Sequence, residues 1–508
     1  MNKISKKSTE HLFLPDRAGG IILHPSSLPG DFGIGELSSN LFKFIDYLHK
    51  YGIKLWQILP LGPTGFGDSP YSSFSAFAGN PLLISIERLI DDNNIAKGTI
   101  EDLKKLPKNF VDFGSLIPLK WKALFQSYEA FKEKKNKKNS LYEKFKKLNE
   151  FWLHNFAVFM ALKEYHNGVS WDKWDKKYKF REKNELIKWS KEYKDKIEFQ
   201  KYVQYLFHSQ WSEIKQYSNN MGICIIGDVP IFVAYDSADV WSNTRLFNLN
   251  DALKPNFVSG VPPDAFSSTG QRWGNPLYRW DIIKKEKYLW WLQRFKFSLL
   301  QMDIIRLDHF RGFEACWQVP ASETTAINGK WIKGPGKEFL KVLQKNLGYL
   351  PIIAEDLGII TKEVDDLRKY FNFPGMNILQ FAFDDQNIEE NKYYPKNYHV
   401  NSVVYPGTHD NSTTLSWFQS INGALQLKVK NLLETDEDHI VRDFIKLAWS
   451  SVSKYAIISL QDLMRLDDKA RMNFPGKARD NWNWRFEWKD ISDHYWEELK
   501  NFSLKYKR

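Results

Sequence analysis

Four acidic side chains, far apart along the chain, each follow a short apolar run. Asp228 follows ICIIG, Asp308 ends DIIRLD, Glu355 follows PIIA, and Asp410 ends SVVYPGTHD. Two neighbouring carboxyl groups can cleave a glycosidic bond, one as an ionised nucleophile and the other, with a raised pKa, as a proton donor. Since none of these segments has metal-ligand spacing, the acid-rich pattern points to chemistry on a glycoside.

Apolar, β-branched runs of this length are typical of buried parallel strands. Carboxylates at the C-terminal ends of several such strands meet at one end of a (β/α)8 barrel, where the βα loops form the pocket. We therefore predict an α/β protein, a (β/α)8 TIM barrel with large, mostly helical insertions. No C-terminal series of short strands follows the barrel pattern, so we expect no C-terminal β-sandwich domain.

Arg306 stands two residues before Asp308, so both side chains point the same way from a strand. A neighbouring guanidinium favours the ionised form of a carboxyl group, which a nucleophile requires. A purely structural Asp–Arg pair is the alternative, and it would be preferred for an isolated pair. The other strand-end carboxylates reverse that preference.

Three histidines raise the question of a metal site. His24, His309 and His409 have neither HExxH nor a comparable ligand spacing. We therefore predict no metal and no cofactor. His24 and His409 lie at predicted strand ends and are candidates to donate hydrogen bonds to sugar hydroxyls, whereas His309 is interpreted as structural.

The chain of 508 residues is much longer than a minimal barrel of roughly 250 residues. We predict a single catalytic domain over residues 1–508, with a mostly helical insertion at 83–217 and an active-site loop insertion at 232–278. A further strand is expected near 377–383, and the last clear strand ends at Asp410.

The net charge of +11 and the pI of about 9.1 allow a nucleic-acid partner. The excess is scattered lysine, however, and no nucleic-acid motif accompanies it. We interpret the lysines as solvated faces and predict no nucleic-acid partner.

Location and assembly are also expectations from composition. No stretch approaches the roughly 20 apolar residues of a membrane span, and the N-terminal segment lacks the apolar core of a secretory signal. Cys224 and Cys316 form no CxxC pair, which favours a reducing compartment. We expect a cytoplasmic protein without a membrane partner, either a monomer or a weak homo-oligomer.

Longer segments carry a more specific signal. They are DIIRLDHFRGFE, AEDLG, GTHDN, GDSPYSSFSAFAGNP, GVPPDAFSSTGQRWGNPLYRWD and RMNFPG. They resemble motifs of the amylomaltases, the 4-α-glucanotransferases or disproportionating enzymes of glycoside hydrolase family 77, from about Gly19 to Phe486. The resemblance implies transfer of an α-1,4-glucan segment to the 4-hydroxyl of an acceptor glucan or glucose. The implied partners are maltooligosaccharides, amylose, and glycogen or starch fragments.

The resemblance also implies residue roles. Asp308 matches the nucleophile that forms a covalent glycosyl-enzyme, Glu355 the general acid/base, and Asp410 the carboxylate that binds and distorts the sugar ring. The residues that match substrate-binding positions are Tyr71 (a stacking platform), Asp228, Asp264, Trp273, Arg306 and His409.

The chain departs from the family pattern at four positions. Ala265 and Phe66 stand where the family often has Tyr, Ser412 where Asp is usual, and Asp480 where Gly is usual. These differences concern acceptor preference and long-glucan affinity rather than the carboxylates.

Two other interpretations use the same residues. A hydrolytic enzyme of the α-amylase type would share the carboxylates but release glucose from maltotriose rather than redistribute it. A non-catalytic glucan-binding protein would not need Asp308, Glu355 and Arg306 together, and is therefore disfavoured.

Overall fold

The computed structural model describes residues 14–91, 95–133, 137–264, 267–383, 387–477 and 479–508. The strands are β1 (Ala18–Ile22), β2 (Leu55–Gln57), β3 (Cys224–Pro230), β4 (Phe257–Val261), β5 (Gln271–Pro276), β6 (Ile304–Asp308), β7 (Ala315–Pro320), β8 (Lys330–Lys333), β9 (Ile352–Ala354), β10 (Gly375–Ile378), β11 (Ser402–Tyr405) and β12 (Tyr455–Ser459).

The α-helices are α1 (Ser39–Lys50), α2 (Ile86–Asp91), α3 (Lys97–Lys104), α4 (Phe113–Glu133), α5 (Lys137–Leu148), α6 (Glu150–Tyr165), α7 (Lys176–Lys179), α8 (Lys183–Glu192), α9 (Lys194–Asn220), α10 (Ala238–Ser242), α11 (Trp280–Lys285), α12 (Leu289–Gln301), α13 (Gly336–Leu347), α14 (Lys362–Tyr370), α15 (Thr414–Ser420), α16 (Gly423–Leu433), α17 (Ile440–Ser450), α18 (Leu460–Leu463) and α19 (Asp493–Lys505). Within the described ranges, no helix combines the length and the apolar character that a membrane crossing requires.

Eight strands form the barrel sheet, in the order β10-β11-β12-β1-β2-β3-β6-β9. Every pairing along this order is parallel. The two ends of the order meet where the Ala354 amide donates to the Pro374 carbonyl over 2.9 Å. The predicted (β/α)8 barrel is thereby confirmed.

The barrel strands are apolar on both faces because both faces are covered. Ile226 and Ile304 belong to the cluster that fills the barrel interior. Their neighbours Ile225 and Ile305 point the other way and join the larger cluster beneath the helices. The alternation of side chains along a strand therefore explains why these runs read as continuously apolar.

Two details of the strand prediction are wrong. The strand expected near 377–383 ends at Ile378, and the chain continues as a 3₁₀ helix over Leu379–Phe383. The eighth barrel strand, β12, comes after Asp410, where the sequence pattern places the end of the last strand. Its run YAIIS passes directly into α18, so no Gly or Pro marks its end.

Both insertions contain regular secondary structure. The stretch 83–217 contains α2 to α8 and most of α9. The stretch 232–278, predicted as a loop, contains α10, β4 and β5, so that prediction is wrong in this respect. Strands β4 and β5 join β7 and β8 in an antiparallel sheet of order β5-β4-β7-β8. The sequence QRWGNP hides β5 because it has Gly, Pro and exposed polar residues.

The helical insertion positions the loop that follows β2. The Gln204 side chain in α9 accepts a hydrogen bond from the Gly79 amide (2.7 Å) and donates to its carbonyl (2.9 Å). A Cβ at residue 79 would lie 1.9 Å from the Phe207 ring, so only glycine fits against this helix. The Ala76 amide donates to Asp239 over 2.7 Å. These contacts fix the loop that carries Tyr71.

Candidate active site

The strand-end carboxylates lie at the same end of the barrel. Asp228 lies in β3 opposite Arg306 of β6, and Asp308 is the last residue of β6. Glu355 follows β9 directly, and Asp410 lies in the turn after β11. The parallel register therefore collects side chains that are far apart in sequence.

Five side chains form what we call the donor floor: Tyr71, Asp228, Arg306, Asp308 and His409. Arg306 Nη1 donates to Asp228 Oδ2 (2.6 Å) and to Asp308 Oδ1 (3.1 Å). The Tyr71 hydroxyl donates to Asp228 Oδ2 (2.8 Å) and lies 2.8 Å from His409 Nε2. The Tyr71 and His409 rings stack with centroids 5.4 Å apart. The predicted Arg306–Asp308 pairing is present in this network.

Glu355 sits in a different environment. Its carboxylate accepts hydrogen bonds from the His309 amide (2.8 Å) and the Leu357 amide (2.9 Å). Burial raises the pKa of Glu355 to about 7, the charge of Arg306 opposes the rise, and the charge of Asp308 adds to it. A carboxyl group with this pKa can both give and take a proton near neutral pH. His309 has φ of 52°, and this left-handed conformation accompanies its contact with Glu355.

Asp228 is also buried, and the guanidinium of Arg306 donates to both Asp228 and Asp308. Burial raises the pKa of Asp228 to about 7, and the charge of Arg306 opposes the rise. Burial likewise lowers the pKa of His409, so this imidazole is neutral at pH 7. The donor floor therefore contains one permanent positive charge beside two carboxyl groups.

Asp410 is held by residues to which sequence reasoning assigned no role. Asn473 Nδ2 donates to Asp410 Oδ1 over 2.6 Å, and Arg471 hydrogen-bonds the Asp410 carbonyl. His409 Nε2 lies 3.3 Å from Asp410 Oδ2. The motif RMNFPG contains both Arg471 and Asn473, so this motif was the sequence feature that could have pointed to them.

Trp482 is a second site residue that sequence reasoning missed. Its ring lies 5.8 Å from the ring of Tyr71 and 6.1 Å from that of His409. Trp482 and Asp480 have φ of 64° and 62°. Glycine, which the resemblance implies at position 480, adopts this left-handed conformation without steric cost.

Trp273 lies in the antiparallel sheet and Asp264 in the connection between two of its strands, rather than at a barrel strand end. Trp273 is in β5, is 38% exposed, and meets the His309 ring edge-on at 4.8 Å. Asp264 lies between β4 and β5, where its Oδ1 accepts a hydrogen bond from the Ser267 amide (2.8 Å). We call β4, β5 and the described residues between them the hairpin. The structure thus brings Trp273 beside the residue that supports Glu355.

The four departures from the family pattern have different surroundings. Phe66 is 81% exposed, and Ser412 Oγ accepts a hydrogen bond from Arg471 (2.9 Å). Ala265 lies outside the described residues.

The barrel and its strand-end carboxylates define a class of enzyme that acts on glycosidic bonds. One carboxylate is paired with a guanidinium, and another is buried with a raised pKa, which is the division that such chemistry needs. The family model described as 4-alpha-glucanotransferase, glycoside hydrolase family 77, matches residues 23–491. The chain belongs to this family, and it is an enzyme of the 4-alpha-glucanotransferase type. The predicted family and activity are confirmed.

Individual relatives match over most of their length. A 4-alpha-glucanotransferase of Synechocystis is 46% identical over 487 residues, covering 94% of this chain and 96% of the relative. One of Thermus thermophilus is 42% identical over 493 residues, covering 95% and 97%. The amylomaltase structure from Streptococcus agalactiae, in complex with acarbose, has a TM-score of 0.93 at 36% identity, covering 97% and 99%. An amylomaltase from Corynebacterium glutamicum is similar in fold, with a TM-score of 0.78 at 16% identity, covering 96% and 75%.

Proposed function

We propose that Asp308 is the nucleophile and Glu355 the general acid/base of a retaining transfer between α-1,4-glucans. The observation that carries this assignment is the contrast between their environments. Asp308 accepts a hydrogen bond from Arg306, which favours a carboxylate, whereas burial raises the pKa of Glu355 to about 7. Two carboxyl groups with such different surroundings suit an ionised nucleophile and a protonated acid.

In the first step, an Asp308 oxygen forms a bond to the anomeric carbon of the donor sugar. The bond from that carbon to the glycosidic oxygen breaks, and the proton of Glu355 passes to the leaving oxygen. The products are a glycosyl ester on Asp308, an ionised Glu355, and a released glucan with a free 4-hydroxyl.

In the second step, Glu355 takes the proton of an acceptor 4-hydroxyl. The acceptor oxygen bonds to the anomeric carbon, and the Asp308 carboxylate leaves. Two inversions at the same carbon give overall retention. Because water would compete as acceptor, the hairpin is the segment we expect to favour sugar at this stage.

The remaining site residues bind sugar in this proposal. Asp410, held by Asn473, binds and distorts the donor ring. Tyr71, Asp228, Arg306 and His409 form the floor of the donor subsite, and Trp273 and Asp264 serve the acceptor side.

The substrates proposed are maltooligosaccharides, amylose, and glycogen or starch fragments, with glucose as a further acceptor. The amylomaltase from Streptococcus agalactiae forms a complex with acarbose, and the similarity of this chain to that relative supports a sugar-binding cleft here. The cytoplasmic location and the monomeric or weakly homo-oligomeric state stay predictions from the sequence.

Incubation of the purified protein with maltotriose tests the activity. Transfer predicts glucose together with a ladder of longer maltooligosaccharides, and a total number of reducing ends that stays nearly constant. An α-amylase-type hydrolase would instead raise the number of reducing ends in proportion to glucose released. Mass spectrometry after reaction with a fluorinated donor should place the covalent sugar on Asp308; a label on another carboxylate would contradict the assignment.

A further inference from the structure

Two histidines that line the same cavity, His24 and His409, each have a ring nitrogen without a partner among the described residues. His24, His409 and the side chains of Thr408, Ser459 and Asp462 are among its lining residues. Both imidazoles are buried, with 7% of His24 and 6% of His409 exposed. No residue in the described part of the chain offers a hydrogen bond to Nδ1 of either ring. Leaving a buried polar atom unpaired is costly, so each such atom calls for an explanation.

The tautomer of His409 follows from the atoms near its Nε2. When Asp228 is ionised, the single hydroxyl proton of Tyr71 is given to Asp228 Oδ2, so Tyr71 Oη can only accept from His409 Nε2. The nearby Asp410 Oδ2, 3.3 Å from Nε2, is a second acceptor. In that state the proton of neutral His409 is on Nε2, and Nδ1 carries a lone pair.

His24 is neutral as well, because burial and the neighbouring His409 lower the pKa of His24 to about 3. His24 lines the same cavity as His409, and its Nδ1 also lacks a partner among the described residues. A water molecule can donate to one nitrogen and either donate to or accept from the other, and a buried water with polar partners on several sides is a normal part of a protein interior. Ser459 and Thr408 bring further polar atoms to the lining.

We propose that an ordered water molecule bridges Nδ1 of His24 and Nδ1 of His409, which makes His24 a positioning residue for His409. The water holds the tautomer in which Nε2–H faces Tyr71 and Asp410. In the other tautomer, the Nε2 lone pair would face the Tyr71 oxygen and the Asp410 carboxylate, and the network would lose a hydrogen bond. The effect on rate rests on the function proposed above, whereas the water itself does not.

Two variants of nearly equal size separate this role from simple packing. Asn places an amide nitrogen close to the position of imidazole Nδ1, whereas Leu has a similar shape without a polar atom. We expect His24→Leu to lower kcat for maltotriose disproportionation about tenfold, as for loss of a hydrogen bond in a polar network. His24→Asn should retain kcat within about twofold of the wild type. Thermal unfolding of both variants controls for folding.

High-resolution crystal structures give the direct readout. The wild type and His24→Asn should have a density peak within hydrogen-bond distance of His409 Nδ1, and His24→Leu should lack it. A wild-type structure without this peak, or equal kcat in the two variants, would overturn the proposal. If the Leu variant does not fold, the presence or absence of the wild-type density peak near His409 Nδ1 tests the proposal. If the wild type makes no transfer products from maltotriose, the proposed function fails, but the density still tests the water.

Discussion

The donor floor and the hairpin are built in opposite ways. In the donor floor, Asp228, Arg306 and His409 are buried, and each is within bonding distance of another polar side chain. In the hairpin, Trp273 is 38% exposed and Gln271 and Arg272 are also exposed. One region is fixed before any sugar arrives, and the other offers its surface to solvent.

This difference fits the two tasks of a transferase. Bond cleavage needs charges placed in advance, because dipoles that are already oriented need no reorganisation in the transition state. Acceptance of glucans of different lengths needs a surface that can meet many of them. We therefore expect changes in the floor to affect cleavage of every donor, and changes in the hairpin to affect the choice between acceptors.

The largest effect is expected from Asp308→Asn. Without a nucleophile, the rate of transfer should fall by roughly four orders of magnitude or more. Because Asn preserves shape, the thermal unfolding midpoint should stay close to that of the wild type. The rate is measured with maltotriose. A rate of the variant within tenfold of that of the wild type would contradict the role of Asp308 as nucleophile.

Glu355→Gln should separate donors by their leaving groups. With glucans, the rate should fall about 10²- to 10⁴-fold, the usual contribution of a general acid. Formation of the glycosyl-enzyme from a glycosyl fluoride should fall much less, since fluoride leaves without a full proton transfer. Azide should then release a glycosyl azide, because azide attacks without a general base. Equal losses with both donors would count against the role of Glu355.

The pH dependence of kcat/KM provides an intermediate effect. Glycosylation needs protonated Glu355, so its rate should fall as pH rises through about 7. About 1.5 units above that pKa, the protonated fraction predicts a loss of about 30-fold. With a glycosyl fluoride this loss should largely disappear. If the loss persists with the fluoride, the fall in rate at high pH reports the titration of another group. Asp228, with a pKa also raised to about 7, is the candidate.

Trp273→Ala tests the hairpin. Loss of an aromatic surface is worth about 1 kcal/mol, so transfer to a glucose acceptor should fall about fivefold. Fluoride release in the first half-reaction should be unchanged. Tyr349→Ala is a matched control, because this exposed aromatic residue precedes β9 and lies toward the opposite end of the barrel. A parallel fall of both half-reactions in Trp273→Ala would remove the distinction between the two regions.

Chelation should have the smallest effect. In the proposed mechanism Asp308 and Glu355 supply the nucleophile and the proton, and in the described ranges no group of three or more His, Cys, Asp or Glu could hold a metal ion. Prolonged dialysis against EDTA should leave the maltotriose rate unchanged. If activity is lost and calcium or zinc restores it, the donor floor requires a bound metal ion.

The contrast between floor and hairpin also bears on what the sequence could predict. The carboxylates of the floor are recognisable because each follows a short apolar strand, so the local pattern and the functional position coincide. Asn473 and Trp482 belong to an irregular segment after β12, where no periodicity marks the direction of a side chain. Their contacts depend on how the whole barrel brings distant segments together.

The strands of the hairpin escape prediction for a different reason. Strand β5 pairs with β4, and β4 gains its second partner in β7, more than 50 residues further along the chain. The exposed residues of β5 have no hydrophobic alternation. Strand formation there is decided by tertiary pairing rather than local preference. The barrel strand β12 is hard to recognise because its end carries no turn signal.

The position of β1 between β2 and β12 has a consequence for how the chain is made. More than 400 residues separate Ile22 from Tyr455. At ribosomal rates of roughly 5–20 residues per second, the first strand waits about 20 to 90 s for its second neighbour. One edge of a nascent half-barrel is exposed during that time. Slower elongation would prolong this interval, and chaperones that cover strand edges would reduce the risk of aggregation during it.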